Sequence, residues 1–250
     1  MALHQSLPGQ GAGSGPLVSS VAAKQSTGVQ TAVIRGHRKD EVVHTMSTVI
    51  AIIYHNEICL ASDTKSVDHE TGFELDPSIK QIVINDEIAI GFSGSGNISE
   101  VIMGTLSSPK NTHIISNLTF SEIPTVLNEI YKEHITSTKY PDEEIYNVSA
   151  LIVGFNDYKP EIIYWTSSDN TETITQSDPN NFTAFVLPPY DISQKSCNKI
   201  LFGIANSGAH FNSLSELAVN YFKVVASLSE YVSESATIWT HTTLRPDNFS

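Results

Sequence analysis

Apolar residues in this chain fall into short runs and helical stripes that begin at about residue 47. Residues 47–54 (Ser-Thr-Val-Ile-Ala-Ile-Ile-Tyr) are mostly β-branched and apolar. His55-Asn56-Glu57 is a polar break, and a second apolar run from Ile58 ends on Asp63-Thr64-Lys65. This pattern predicts two strands joined by a tight turn. Residues 66–78 are polar, carry Gly72 and Pro77, and read as a loop. Residues 80–84 and 88–92 predict a second strand pair around Asn85-Asp86. Ser93-Gly94-Ser95-Gly96 then leads into a helix, capped by Asn97 or Ser99 and running to about Leu106. Ser121 and Glu122 start another helix. Ile123, Val126, Leu127, Ile130 and Tyr131 keep helical spacing to about Ile135, and Pro124 suits the first turn. Residues 148–155, 162–166, 182–187 and 200–204 predict strands. Leu214, Leu217, Ala218, Tyr221, Phe222 and Val225 mark a third helix, and Leu228-Ser229-Glu230 opens a fourth, to about Thr243. Strands, two helices, strands, two helices is the order of an α+β domain. The expected architecture is a four-layer αββα sandwich, two stacked antiparallel sheets flanked by helices.

Composition separates one part of the chain from the rest. Residues 1–46 interleave Gly9, Gly11, Gly13 and Gly15 with prolines and serines, as flexible linkers do, and end mildly basic through Arg35, Arg38 and Lys39. They read as a flexible leader or as residues upstream of a start at Met46. The remainder, 47–250, has the length of one domain with a substantial core. A formal net charge of −13 argues against general nucleic-acid or anionic-membrane binding. No apolar run is long enough to span a bilayer, and the N-terminus lacks the apolar core of a secretory signal. Cys59 and Cys197 lie far apart with no CxxC, which fits a reducing compartment. The nine histidines show no metal-ligand spacing, and the Gly-rich 91–96 stretch lacks the lysine of a phosphate loop. No metal and no cofactor are expected.

The hairpin carries the candidate chemistry. In an antiparallel pair the start of one strand lies beside the end of the next, so Ser47 is expected close to Asp63 and Lys65. A hydroxyl, a carboxylate and an amine gathered at one hairpin end suit a nucleophile site. Structural readings stand beside the chemical ones: Ser47 as an ordinary strand-start serine, Asp63 with Lys80 as an ion pair, and Gly94 as a glycine that only permits the turn before a helix.

The run 47–65 resembles the opening of proteasome β-type subunits, members of the N-terminal-nucleophile hydrolases. The resemblance carries further residues. Ser47 takes the place of the nucleophile, where the family usually has threonine. Asp63, sixteen residues later, matches the buried aspartate, with basic Lys65 two beyond it. Lys80, opening Lys-x-Ile-x-Ile, matches the catalytic lysine, and Gly94, fourteen further on, the oxyanion glycine. Asn206-Ser207-Gly208 resembles the Gly-Ser-Gly turn, and Asp247-Asn248-Phe249-Ser250 the Asp-x-aromatic-Ser corner. By that resemblance Ser207, Asp247 and Ser250 orient the α-amine. Met46 stands where self-processing members have glycine, and the family continues past its corner, so the domain reads as truncated at its C-terminus.

What the resemblance implies is a cytoplasmic peptidase whose Ser47 amine is freed when the leader is removed. Peptide or unfolded protein would be the substrate, a homo-oligomeric ring or helical assembly the housing, and an ATP-dependent unfoldase a partner. Two rival readings share the fold: a non-catalytic assembly subunit and a small-amide hydrolase.

Overall fold

Burial on both faces fixes the central hairpin. The computed structural model describes residues 44–45, 47–67, 74–75, 77–138, 147–168, 171–176, 181–207 and 212–242. Strands β2 (Val49–Tyr54) and β3 (Glu57–Asp63) are buried along nearly their whole length; β1 (His44–Thr45) precedes them in the chain. Odd positions of β2 pack toward one layer and even positions toward another. Val49, Ala51 and Ile53 share a cluster with Ala89, Leu151 and Val153, whereas Ile50 and Ile52 join Cys197, Leu217 and Phe222. Period-two alternation produces this division, and a one-residue slip would exchange the two sets. Each fully buried isoleucine contributes roughly 1.5–3 kcal/mol.

The chain continues as β4 (Ser66–Val67), β5 (Glu74–Leu75), β6 (Gln81–Asn85), β7 (Ile88–Ser95), α1 (Gly96–Leu106) and α2 (Thr112–Ile115). A 3-10 turn (Phe120–Glu122) leads into α3 (Ile123–Thr138). There the Glu122 carboxylate accepts from the Thr119 backbone N–H at 2.8 Å. After these come β8 (Val148–Asn156), β9 (Lys159–Thr166), β10 (Thr171–Thr175), β11 (Thr183–Leu187), α4 (Gln194–Ala205), α5 (Leu214–Ala226) and β12 (Ala236–Thr242). Asp157 and Tyr158 both take positive φ (49° and 63°) in the two-residue turn between β8 and β9, the backbone that matches strand twist.

One sheet runs β1-β7-β8-β9-β10 with β6 also on β7; the other runs β11-β2-β3-β12. Helices α1 and α3 cover the outer face of the first through Ile98, Ile102, Ile123 and Leu127. The Trp165 indole donates to Asn128 Oδ1 at 2.6 Å and ties β9 to α3. Helices α4 and α5 cover the second through Cys197, Leu201, Leu217 and Phe222. The α+β four-layer expectation therefore holds.

Two elements differ from the sequence expectation. Residues 200–204, expected as a strand, lie in helix α4, whose start is capped by the Ser193 hydroxyl accepting from Ser196 N at 3.2 Å. The run is helical because Cys197 and Leu201, four apart, face the sheet while Phe202 looks outward. The fourth helix, expected from Leu228 to about Thr243, is absent from the described residues 228–242. Strand β12 stands there instead, paired antiparallel with β3 from Ala236↔Asp63 to Thr242↔Glu57. Its Thr-Ile-Trp-Thr-His-Thr side chains suit a pleated surface better than a helix. The 66–78 loop also holds the short β4–β5 pair, and β10 was not foreseen.

Sheet-to-sheet spacing depends on Gly91. A Cβ there would lie 2.7 Å from Val49 Cγ1 and 3.3 Å from Leu60 Cδ1. Gly91→Ala is expected to cost about 1–3 kcal/mol by overpacking. Urea denaturation checks this, and an unchanged midpoint would show that the layers can part freely.

Candidate active site

Asp63 organises one end of the hairpin. It is fully buried at the end of β3, beside the residue that precedes β2. Its backbone N–H donates to Thr48 O at 3.3 Å, and Thr48 N–H returns a bond to Asp63 Oδ1 at 3.0 Å. Lys65 N–H donates to Oδ2 at 3.1 Å. Lys80, directly before β6, reaches both oxygens with Nζ at 3.0 Å and 3.0 Å. The carboxylate thus accepts four hydrogen bonds, about its full capacity. The third Lys80 N–H goes to the Lys65 carbonyl. Lys65 therefore serves through its backbone, while its side chain pairs with Glu74 at 3.6 Å.

Burial pushes the Asp63 carboxyl above its ordinary range, against the pull of the Lys80 charge and of its hydrogen bonds. Burial likewise lowers Lys80, opposed by Asp63. The two charges offset each other's desolvation, so each depends on the other to stay ionised.

Ser47 directly precedes Thr48, whose N–H binds Asp63, and is buried, but its hydroxyl has no hydrogen-bond partner among the described residues. The three N–H groups of Lys80 are all directed elsewhere. The Ser47 carbonyl accepts from the Ser93 hydroxyl at 2.8 Å, which fastens the start of β2 to β7. Thr48 Oγ1 donates to Leu187 O at 2.9 Å, on the other side.

Gly94, on β7, has φ 110°, and a Cβ there would lie 2.5 Å from Asn147 O. Only glycine suits that backbone. The register Thr45↔Gly94 and His44↔Ser95 lays β1 along the edge of β7 opposite β8. Residues expected to belong to the flexible leader therefore form a strand immediately upstream of Ser47.

The structure brings Ser47, Asp63, Lys80 and Gly94 to one end of the sandwich. It does not bring Ser207 there. Ser207 is exposed and donates to Ile204 O at 2.8 Å at the end of α4. Its neighbour Asn206 lines a cavity of about 760 Å³ with Tyr54, His55 and Glu57, at the turn end of the hairpin. Six residues of β2 separate that turn from Ser47, roughly 20 Å. Asp247 and Ser250 lie outside the described residues, as do Met46 and Gly208.

Two residues escaped the sequence reading. Ser93 anchors Ser47, and its signal is a hydroxyl at an odd position of β7, in line with Ala89 and Gly91. Ser233 follows α5 and lies against Thr64, with its Oγ 3.3 Å from Thr64 N and 3.2 Å from Thr64 Oγ1. Its signal is an acid and a serine three apart, Glu230 and Ser233, directly after a helix. Reading 228–243 as one helix hid it.

Among the described residues no group of three or more His, Cys, Asp or Glu is placed to hold a metal ion, and no helix is long and apolar enough to cross a membrane. Residues 43–171 match the family model described as proteasome subunit. Two similar solved structures are eukaryotic HslV from Trypanosoma brucei and Anbu (ancestral beta-subunit) from Yersinia bercovieri. The first has 15% identity and a TM-score of 0.51 over 78% of this chain and 99% of that one. The second has 13% identity and a TM-score of 0.58 over 78% and 81%. No curated protein matches the sequence. At these identities the likeness is one of fold.

Proposed function

This chain belongs to the proteasome subunit family, and on that premise we propose that it is an N-terminal-nucleophile peptidase whose nucleophile is Ser47. The observation that carries the reading is the buried, unpartnered Ser47 hydroxyl beside the buried Asp63–Lys80 pair. A buried hydroxyl without a partner is costly, and one beside a charge pair is a candidate for chemistry.

The reaction needs a free α-amine on Ser47. With the leader attached that nitrogen is an amide and has no basicity; once it is freed, an amine of pKa about 8 stands beside the hydroxyl. The Ser47 oxygen attacks the scissile carbonyl carbon, and its proton passes to the α-amine. The carbonyl π electrons move onto oxygen, where the Gly94 N–H donates. Collapse expels the leaving amine, which takes the proton, and leaves an ester on Ser47. Water then hydrolyses the ester. The Lys80 ammonium favours the alkoxide as a nearby positive charge, without a direct hydrogen bond. Asp63 holds that lysine, and Ser93 and Thr48 hold the nucleophile's backbone.

A second reading rests on β1. A leader strand lying on Gly94 and Ser95 covers the edge a substrate strand would need, as it would in a subunit that never sheds its leader. Intact mass and N-terminal sequencing of the purified full chain separate the two. The peptidase reading expects a mature chain starting at Ser47 that hydrolyses a peptide panel, with at least a 1,000-fold loss in Ser47→Ala. A stable chain retaining Met1 and equal in activity to Ser47→Ala would refute it. A panel of small amides separates peptide from small-amide hydrolysis. Assembly of several copies, a peptide or unfolded-protein substrate, an ATP-dependent unfolding partner and a cytoplasmic location belong to the same proposal.

A further inference from the structure

We propose that the Ser95 hydroxyl is a second donor to the oxyanion, beside the Gly94 N–H; this rests on the peptidase reading above. Ser95 closes β7 and precedes the eleven-residue helix α1. It occupies the N-cap position, where a serine hydroxyl ordinarily accepts a backbone N–H, yet it makes no such bond. It is 1% exposed, and its Oγ has no partner among the described residues. Ser47 Oγ has neither partner nor solvent either.

Strand alternation along β7 brings Ser93 to Ser47, two residues before Ser95. Ala89 belongs to the cluster between the sheets, Gly91 faces Val49 and Leu60, and Ser93 donates to Ser47 O. Ile88, Ile90 and Phe92 face α1 and α3 instead. Ser95 follows Gly94, and the pairing of β7 with β8 holds to Gly94↔Val148, followed by Ser95 N–H to Asn147 O at 3.0 Å. Ser95 is thus a buried hydroxyl with no acceptor, next to Gly94 on the strand whose Ser93 holds Ser47. The oxygen that gains charge when Ser47 attacks a peptide carbonyl is such an acceptor. The positive end of α1, which has no acidic residue in its first turn, favours charge at the same point. In that step the Ser47 oxygen–carbon bond forms, the Ser47 proton goes to the α-amine, and Ser95 donates its hydrogen without giving it up.

The test compares the processed full-chain product with Ser95→Ala and Ser95→Thr. Three readouts are kcat and KM on a fluorogenic peptide, and inhibition by a peptide aldehyde and by the matching peptide alcohol. The aldehyde forms an oxyanion on Ser47; the alcohol does not. Ser95→Ala is expected to lower kcat by about 100-fold with KM unchanged. It should weaken the aldehyde by a similar factor and leave the alcohol unaffected. Ser95→Thr should return to within a few-fold of wild type. Aldehyde and alcohol weakened equally, or kcat within twofold of wild type, overturns the assignment. Should Ser95→Ala fail to fold, Ser95→Gly removes the hydroxyl at a position where glycine is an acceptable cap. A wild type that neither turns over peptide nor binds the aldehyde, matching Ser47→Ala, overturns the peptidase reading and this assignment together. An active wild type with an unaffected Ser95→Ala overturns the assignment alone.

Discussion

Lys80→Met is expected to lose about 3–5 kcal/mol of stability at neutral pH and to recover part of it on acidification. Methionine fills a similar volume, so the cost lies in the charge left behind. Asp63 is fully buried and would keep the N–H groups of Thr48 and Lys65 but lose both bonds from Lys80. Burial already holds its carboxyl above the ordinary range, and Lys80 is the principal opposing charge. With Lys80 gone, the folded state binds the Asp63 proton more tightly than the unfolded state does. Such a contribution is fully present below the unfolded pKa of about 3.9 and is lost as pH rises through the raised folded value. The deficit against wild type should therefore be smaller near pH 4 than at pH 7. Urea unfolding at both pH values reads it, and adding Asp63→Asn should restore part of the loss at pH 7. A single variant within 1 kcal/mol of wild type at both pH values would mean that the pair is not buried as described.

Gly94→Ala should destabilise by about 3 kcal/mol or more, and lower peptide turnover by over 100-fold in whatever folds. Two independent penalties act. The φ of 110° is a conformation that alanine rarely adopts, and the new Cβ would meet backbone, 2.5 Å from Asn147 O and 3.1 Å from Val148 Cα. Backbone in a paired strand cannot swing aside as a side chain can, so β7 must shift against β8. That shift would also re-aim the Gly94 N–H, the proposed oxyanion donor. For a domain of this size, 3 kcal/mol corresponds to a Tm lower by roughly 6–12 °C. Gly203→Ala is the matched control: nothing lies within 4 Å of its Cβ, and it is inside α4. It should gain about 0.5–1 kcal/mol from helix propensity. Equal Tm values for the two variants would remove the geometric argument.

The hairpin was legible because its evidence is local. β-branched runs on either side of His55-Asn56-Glu57 specify two strands, and antiparallel pairing then places residue 63 beside residue 48 without further information. The α3 and α5 stripes were legible for the same reason, being periodic over three or more turns. Residues 200–204 were not, since a five-residue apolar run fits a buried strand or one face of a helix equally. Neither was β12, whose partner β3 lies more than 170 residues earlier.

The amino-acid order alone determined the two-strand start, the separation of Ser47 from Asp63, and the glycine-bracketed strand end at Gly94, because spacing and alternation act between near neighbours. Tertiary structure decided which side chains meet there. It gave all three Lys80 protons to Asp63 and Lys65, set Ser93 and Ser233 around the hairpin end, and carried Ser207 to the opposite end. Those outcomes follow from how helices and strands run back and forth across the sheets, so that a residue's place depends on the direction of its element as well as its position in the sequence.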